Sequence, residues 1–299
     1  MNRERIMIAA KKSLRFLPDK YYVKLYFRLN LHRKLNLEKP QYLNDKLQWM
    51  KFNYRFPLQT IVSDKYAVRE YVSEKIGSEY LIPLLGVWDK FEDIDFNKLP
   101  DQFVLKCNHD SGGLAICKDK KEFNITEAKK KIVKSLKTNF YWIGREYQYK
   151  NIVPQIICEK YITENGQVPE DYKIYCFNGK PDAILVCKGR FSEGSHRAQY
   201  YYYDHDWNFL SYNKGDTLEN DPQIKKPENL DEMLQIAKEL SKDFIFARVD
   251  LYNIKGKIYF GEITLSPNSG FDPDITLETD KLFGDKLEIP YWNKISSGK

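Results

Sequence analysis

Two short runs of alternating residues near the C-terminus constrain the fold most, because together they predict a β-hairpin with charged side chains on one face. Arg248 and Asp250 are two residues apart and share one face of a strand, as do Glu262 and Thr264. Residues 253–257, which include Gly256, have the composition of a turn between the two runs. Pairing of the runs brings Asp250 close to Glu262.

The two carboxylates of this hairpin indicate a metal site. Mg²⁺ prefers hard oxygen ligands, and it commonly takes one or two carboxylates while phosphates and water complete its shell. Arg248 on the same face has the fork geometry that binds a phosphate. The hairpin therefore predicts a magnesium-nucleotide site, and the alternative is a surface hairpin with solvated carboxylates.

A second segment, about 140 residues earlier, predicts two strands joined by a loop of small residues. A strand over 103–106 ends in Lys106, and a second strand resumes at 114–117. Between them, Ser111, Gly112 and Gly113 offer backbone N–H groups that can close over a polyphosphate, and Lys106 can neutralise phosphate charge. The spacing is not that of a Walker loop. A plain hairpin turn is the alternative.

A third segment follows between these two. Residues 156–162 form an apolar strand that ends in polar groups, and backbone groups just after Glu159 are placed to bind an adenine edge. Asp171, which points the same way as Lys173 on the next strand, can accept hydrogen bonds from ribose hydroxyls.

In this order and at these separations, the three segments resemble the ATP-grasp superfamily, and the run from about Asn44 resembles its TupA-like branch, named for teichuronopeptide biosynthesis. The motifs that carry the resemblance are residues 44–51, 63–66, 103–112, 159–162, 171–179, 248–252 and 261–271. The resemblance implies an α+β, ATP-grasp fold that holds a nucleotide between two antiparallel β-sheets, with a helical N-terminal segment.

The resemblance also implies roles for individual residues in binding ATP and Mg²⁺. The nucleotide-binding set is Lys65 and Lys106 at the phosphates, Ser111, Gly112 and Gly113 in the flexible loop, Glu159, Lys160, Tyr161 and Ile162 at the adenine, and Asp171 at the ribose. The metal set is Asp250, Glu262 and Thr264, while Arg248 resembles the arginine that steadies the transferring phosphate and Lys173 is a nearby cation. Arg190, considered from its position in the sequence, completes the catalytic set.

Two members of these sets need separate comment. Many ATP-grasp enzymes carry Asn two residues after the second carboxylate, whereas this chain has Thr264, whose hydroxyl is a weaker ligand; Asn268 or Ser266 are the alternatives. Arg190 ends a strand next to a polar loop and is placed to bind a substrate carboxylate or an acyl phosphate. A surface arginine at a strand end is the alternative.

The activity implied by the resemblance is ATP-dependent, ADP-forming ligation of a carboxylate to an amine through an acyl phosphate. The expected setting is capsule, O-antigen or cell-wall polysaccharide biosynthesis, with a uronic acid or amino acid as carboxylate donor and an amino acid or amino sugar as acceptor. The alternatives are a sugar kinase that uses the same nucleotide-binding residues, and a non-catalytic nucleotide-binding component, or a glycosyltransferase, of a glycan-assembly complex.

Composition agrees with a globular cytoplasmic protein. The chain has 299 residues with 42% apolar and 15% aromatic content, and no apolar run of eighteen residues or secretory signal is present. Its five cysteines are an odd number without C-x-x-C spacing, which predicts buried free thiols. The four histidines lack ligand spacing, and only His109, beside the predicted phosphate loop, is a candidate for a role.

Positive charge is concentrated at the N-terminus. Up to Lys34 there are ten Lys or Arg against two acidic residues, a net +8, which leaves −2 for the rest of a chain whose total is +6. Apolar residues recur there at helical intervals, with a break at Pro18. Residues 1–31 are therefore expected to form helices that either contact an anionic membrane surface or pack on the body of the protein. No nucleic-acid-binding module is recognised.

The remaining expectations concern boundaries. We expect an N-terminal helical region over 1–98, a nucleotide-binding subdomain over 99–180, and a C-terminal subdomain with the metal and substrate site over 181–299. Helices are predicted over 60–76, over 126–138 with Asn124 or Thr126 as its cap, over 230–242 with Asn229 as its cap, and through 142–149.

Overall fold

The computed structural model describes residues 14–164, 168–189 and 198–289. The helices are α1 (Asp19–Leu31), α2 (Leu43–Asn53), α3 (Pro57–Ser63), α4 (Val68–Ile76), α5 (Ile125–Leu136), α6 (Tyr141–Gly144), α7 (Leu230–Ser241) and α8 (Leu277–Lys286). The strands are β1 (Leu84–Trp88), β2 (Phe103–Cys107), β3 (Leu114–Cys117), β4 (Ile156–Lys160), β5 (Asp171–Phe177), β6 (Lys180–Lys188), β7 (Gln199–Tyr203), β8 (Phe209–Leu210), β9 (Phe246–Ile254) and β10 (Lys257–Thr264).

These elements group into two compact units. The first comprises the described residues of Met1–Arg15 and Phe56–Pro169, and the second those of Phe16–Arg55 and Glu170–Lys299. The three regions expected from the sequence stay a prediction. The boundary expected between residues 180 and 181 falls at the start of β6, which pairs with β5 in one sheet.

The first unit is built on a four-stranded antiparallel sheet with the order β1-β4-β2-β3. Strand β2 alternates as its sequence predicts, with Phe103, Leu105 and Cys107 fully buried. Helix α5 covers this core with Ala128 and Ile132. The core thus supports the loop between β2 and β3 from beneath.

The caps and breaks of helices in the first unit follow local hydrogen bonding. Asn124 caps α5, as predicted, by accepting from the Glu127 N–H at 3.0 Å. The single helix predicted over 60–76 is wrong, because the Asp64 carboxylate accepts from the N–H groups of Tyr66 and Ala67 and so replaces helical bonds with a turn between α3 and α4.

The helix predicted through 142–149 is also wrong. Arg145 adopts a left-handed conformation with φ of 55°, which ends α6 after a single turn. Residues Tyr147–Tyr149 then form a short 3₁₀ helix.

The second unit is built on a six-stranded antiparallel sheet with the order β10-β9-β5-β6-β7-β8. The hairpin predicted from the sequence is confirmed: β9 and β10 pair so that Asp250 lies opposite Glu262, next to an irregularity between Phe260 and Glu262. Strand β5 pairs with the other edge of β9, where Lys173 lies opposite Asp250. Three charged positions therefore lie side by side on adjacent strands.

The two faces of this sheet are covered by different helices. Helix α7 buries one side, formed by Leu230, Met233, Ile236, Ala237 and Leu240, as the sequence predicts. The side chain of Asn229, the predicted cap, accepts no capping hydrogen bond. On the opposite face, α2 and α8 share a core cluster with Tyr175 of β5. Lys173 and Asp171 are two and four residues before Tyr175 and lie on that face.

Both sheets are antiparallel, and most helices lie outside the run of strands, with α1–α4 before β1 and α8 after β10, which confirms the predicted α+β class. The five cysteines are free and buried, also as predicted. Among the described residues, no helix is long and apolar enough to cross a bilayer.

Candidate active site

A buried cluster of charged side chains lies on β5, β9 and β10 of the second unit. Arg248 donates two parallel hydrogen bonds to Asp250, from Nε to Oδ1 and from Nη2 to Oδ2, each 2.7 Å long. Lys173 donates to the same carboxylate, with 2.5 Å between Nζ and Oδ2, and lies 3.2 Å from Asp171 Oδ2. Bidentate bonds between charged groups are among the strongest in proteins and fix both partners in orientation.

The rim of this cluster is more exposed than its centre. Arg248 Nη2 also reaches Glu262 Oε1 at 3.4 Å and Thr264 Oγ1 at 3.2 Å, and the Thr264 hydroxyl donates to Glu262 Oε1 at 3.2 Å. The side chain of Glu262 is 40% exposed, whereas that of Asp250 is 2% exposed. Glu262 is therefore the carboxylate that a solute meets first.

The cluster keeps its two cations charged. Burial by itself would lower the pKa of Lys173, but the charges of Asp250, Asp171 and Glu262 together outweigh it, and the pKa lies above its ordinary value. The pKa of Arg248 is raised well above its ordinary value, because the charge and hydrogen bonds of Asp250 outweigh the effect of burial. Burial raises the pKa of the Asp250 carboxyl, against the opposing charges of Arg248 and Lys173.

The donor set fits a magnesium ion that completes its shell with other ligands. Asp250, Glu262 and the Thr264 hydroxyl are hard oxygen donors on paired strands. Both oxygens of Asp250 accept from cationic side chains, so a metal at Asp250 would take the place of one of those donors. No group of three or more His, Cys, Asp or Glu suited to a metal occurs in the described part of the chain.

In the first unit, a network of hydrogen bonds shapes the loop between β2 and β3. Lys65 donates its backbone N–H to Asn108 O at 2.9 Å and its ammonium group to Asp110 O. The Asp110 carboxylate accepts from the Gly113 N–H at 3.1 Å and from the Ser135 hydroxyl. A Cβ at Gly113 would lie 2.4 Å from Ser135 Oγ, so only glycine fits there. These bonds hold the base of the loop, while Ser111 and Gly112 are exposed.

Next to this loop, Lys106 is held by a carboxylate. Its ammonium lies 2.6 Å from Glu159 Oε2, and Arg69 binds the other oxygen of Glu159 at 3.2 Å. Glu159 therefore carries two cations at the end of β4. One residue beyond β4, the buried Tyr161 hydroxyl has no hydrogen-bond partner among the residues that the structure describes.

A left-handed turn follows β10 in the second unit. Asn268 and Ser269 have φ of 48° and 53°, a costly conformation for residues with a Cβ, and Gly270 continues it at 64°. Helix α2 holds this turn: Gln48 Nε2 donates to Ser269 O at 3.0 Å and Gly270 O at 2.5 Å, and Lys51 Nζ donates to Ser269 O at 2.6 Å.

Comparison with protein-family models matches residues 45–288 to the family described as TupA-like ATPgrasp. The chain belongs to the TupA-like ATP-grasp family. This confirms the resemblance found in the sequence and the predicted ATP-grasp fold. No curated protein matches the chain.

Solved structures of low identity resemble the chain. They include D-alanine–D-alanine ligase from Bacillus anthracis, with 20% identity, 79% of this chain and 66% of that chain covered, and a TM-score of 0.43. An L-amino acid ligase from Bacillus licheniformis is 16% identical over 72% of this chain and 44% of its own chain, with a TM-score of 0.44. The D-Ala:D-Ser ligase VanG from Enterococcus faecalis is 15% identical over 76% of this chain and 61% of its own chain, with a TM-score of 0.43. The chain spans about two thirds or less of the length of these structures.

The structure brings many of the residues predicted for the TupA-like ATP-grasp site together within each unit. Asp171, Lys173, Arg248, Asp250, Glu262 and Thr264 form one contact network in the second unit. In the first unit, Lys65 donates to Asp110 O, one residue before the loop of Ser111, Gly112 and Gly113. Lys106 contacts Glu159 there, and Lys160, Tyr161 and Ile162 follow Glu159 directly. Arg190 lies outside the described residues. The individual ligand roles stay predictions.

Other candidates have structural contacts. His109 is buried, with Nδ1 3.3 Å from Asn108 Oδ1 and Nε2 3.1 Å from Thr138 O, so its ring supports the loop. Burial raises the pKa of the Asp272 carboxyl, and the nearby Asn268 side chain opposes that shift. Sequence reasoning missed Arg69, Asp110 and Gln48. The dense run of Asn, Asp, Ser and Gly at 108–113 was the available signal for Asp110.

Proposed function

We propose that the chain is a Mg·ATP-dependent ligase that joins a carboxylate to an amine and forms ADP. The observation that carries this proposal is the buried network of Lys173, Arg248, Asp250 and Glu262 in a chain of the TupA-like ATP-grasp family. Cations and carboxylates concentrated in this way suit phosphoryl transfer, in which the protein positions groups and balances charge.

The charge balance of the cluster supports a metal-assisted role. Three carboxylates, Asp171, Asp250 and Glu262, face two cations, Lys173 and Arg248, so the net charge is −1. Mg²⁺ held by Asp250 and Glu262 would change that to +1 and supply charge for phosphate oxygens. Arg248 then exchanges one carboxylate bond for a bond to phosphate.

In the first unit, Lys106 and the loop of Ser111, Gly112 and Gly113 are proposed to bind phosphate oxygens. The donors are the N–H groups of the exposed residues Ser111 and Gly112 and the ammonium of Lys106, whereas the N–H of Gly113 is bonded to Asp110. Lys65 and Asp110 hold the base of the loop and thereby fix where those donors point. The backbone of residues 159–162 is proposed to contact adenine, and Asp171 to contact ribose.

The proposed reaction needs no covalent nucleophile from the protein. A carboxylate oxygen of the substrate attacks the γ-phosphorus, and ADP leaves with the electron pair of the broken P–O bond. The amine nitrogen then attacks the carbonyl carbon of the acyl phosphate, phosphate leaves, and the amine loses a proton. Burial raises the pKa of Cys107, Cys158 and Cys176 to about 12, so these thiols are poor nucleophiles.

We further propose that the substrates are those of cell-surface polysaccharide assembly in the cytoplasm: a uronic acid or amino acid as the carboxylate, and an amino acid or amino sugar as the amine. What supports this is the sequence resemblance to the TupA-like branch.

A screen for ADP release tests the proposal. The full chain is incubated with Mg·ATP and pairs of carboxylates and amines, and products are identified by mass spectrometry. We expect ADP, free phosphate and an amide in equal amounts, and only when both substrates are present. A phosphorylated sugar without any carboxylate would identify a kinase instead, and tight ATP binding without turnover would identify a binding component.

A further inference from the structure

Helix α1 carries a second apolar stripe on the side that faces away from the core. Its inner side packs within the second unit through Tyr22, Val23 and Phe27, all fully buried, and the Phe27 ring contacts Phe271. This burial agrees with the packed alternative considered from the sequence for this side of α1, while residues 1–13 of the predicted helical segment lie outside the described residues.

The outer side exposes large hydrophobic side chains in a line. Tyr21, Leu25 and Leu29 are 68%, 45% and 63% exposed, and Phe16, ahead of the helix, is 78% exposed. Residues four apart lie near one another on a helix, so the three helical positions form a stripe about 12 Å long. Single exposed hydrophobic residues are ordinary, whereas an aligned group marks an interaction surface.

A basic stripe runs beside the apolar one. Lys20, Lys24 and Arg28 each precede one residue of the apolar stripe, and all three are exposed. None of the three makes an ion pair with another described residue, in contrast to Arg33, which binds Asp45 and Asp280 at 2.8 Å. The outer side thus presents three positive charges next to its apolar stripe.

We propose that the outer side of α1, formed by Lys20, Tyr21, Lys24, Leu25, Arg28 and Leu29, docks on an anionic lipid bilayer. A helix with interleaved basic and apolar side chains lies in the plane of a membrane interface, with rings and aliphatic chains among the acyl chains and ammonium groups at the lipid phosphates. A symmetric contact with a second copy would bring these like charges together. The positive charge therefore favours an anionic surface over another copy of the chain.

Vesicle sedimentation with the full chain tests this surface. Vesicles of phosphatidylcholine alone are compared with vesicles that also contain phosphatidylglycerol. We expect binding only with the anionic lipid and a large loss in 0.5 M NaCl, because salt screens charge at a bilayer surface. Each basic side chain contributes about fivefold to partitioning, so Lys20→Gln, Lys24→Gln and Arg28→Gln together should lower it about 100-fold.

Matched variants separate a specific face from general charge. Leu25→Ser with Leu29→Ser should weaken binding at least about tenfold, since each removes an apolar side chain from the interface. Lys130→Gln, Lys131→Gln and Lys134→Gln remove three exposed charges from α5, and Leu277→Ser with Leu282→Ser removes two exposed leucines from α8. These controls should leave partitioning nearly unchanged, and all variants should keep the wild-type melting temperature.

Several outcomes would overturn the proposal. They are absence of binding by the intact chain, equal binding to uncharged vesicles, and equal losses in the α1 and α5 charge variants. A dimer in solution that the Leu25 and Leu29 changes dissociate, without any vesicle binding, would assign the face to a second copy. None of these side chains belongs to the proposed nucleotide or metal site, so we expect Mg·ATP binding and turnover to be unchanged, and either result leaves the ligase proposal to its own test.

Discussion

Substituting Asp250 and Glu262 one at a time separates stability from activity at the carboxylate pair. Asp250 is buried and accepts three charged hydrogen bonds, two from Arg248 and one from Lys173. Asp250→Asn removes the negative charge. It also replaces one accepting oxygen by an NH₂ group, which then faces an N–H group of Arg248 or Lys173. Removing one partner of a buried ion pair costs roughly 3 to 5 kcal/mol. Lys173 retains Asp171 and Arg248 retains Glu262, so we expect a loss near the lower end, about 3 kcal/mol.

Glu262→Gln serves as the matched change. Its side chain is 40% exposed and its contact with Arg248 is 3.4 Å long, so the loss of stability should stay within about 1 kcal/mol. Both variants should nevertheless lower turnover by at least about 100-fold, because each loses a carboxylate proposed to hold Mg²⁺. Nucleotide affinity should be largely preserved in both.

Urea unfolding and steady-state ADP release measure the two effects on the same preparations. We expect Asp250→Asn to lower the free energy of unfolding much more than Glu262→Gln does, while both variants lose turnover by at least about 100-fold. Near-normal turnover of Glu262→Gln at saturating Mg²⁺ would refute the metal role of the pair. A small stability loss for Asp250→Asn would refute the account of the buried network.

Three further predictions concern other parts of the chain. Lys106→Ala should weaken Mg·ATP binding by about 1 to 3 kcal/mol in a folded protein, as calorimetry can show, and unchanged affinity would remove Lys106 from the nucleotide site. Lys51→Met should lower kcat/KM by roughly tenfold or more, because Lys51 loses its bond to the turn after β10. The control Lys46→Met loses comparable bonds to Gly284 O and Leu287 O and should lower stability alone. Equal kinetic effects of the two variants would contradict this prediction. Burial raises the pKa of Asp45 from 3.8 to about 6, although the charge of Arg33 opposes this rise. The folded state therefore binds this proton more tightly than the unfolded state does. The free energy of unfolding should fall by up to about 3 kcal/mol as pH rises from 4 through 6. Asp45→Asn should flatten that part of the pH profile, and an unchanged slope would exclude Asp45 as its source.

The parts of the fold that the sequence predicted are those set by local periodicity. Alternation over 246–264 was enough to place Asp250 opposite Glu262, and the composition at 124–127 was enough to place the cap of α5. Two helix predictions failed at Asp64 and Arg145, where one side-chain bond and one left-handed residue decided the outcome against helical propensity.

The contacts that the sequence could not predict join residues far apart along the chain. Gln48 and Gly270 are 222 residues apart, and Arg69 and Glu159 are 90 apart. Nothing in the spacing of polar residues on α2 indicates that they hold a turn after β10. The sequence alone predicts that the polar face of that helix faces solvent, because buried and exposed polar side chains give the same sequence pattern. Only the structure shows that this face contacts the turn.

The most direct test of the central claim follows the oxygen atoms of the carboxylate substrate. A carboxylate labelled with ¹⁸O, from any pair that supports ADP release, is incubated with the amine and Mg·ATP, and the released phosphate is analysed by mass spectrometry. An acyl phosphate intermediate transfers one labelled oxygen to each phosphate, which is the result we predict. Unlabelled phosphate alongside the amide, or phosphate retained on a sugar hydroxyl, would contradict the proposed ligase.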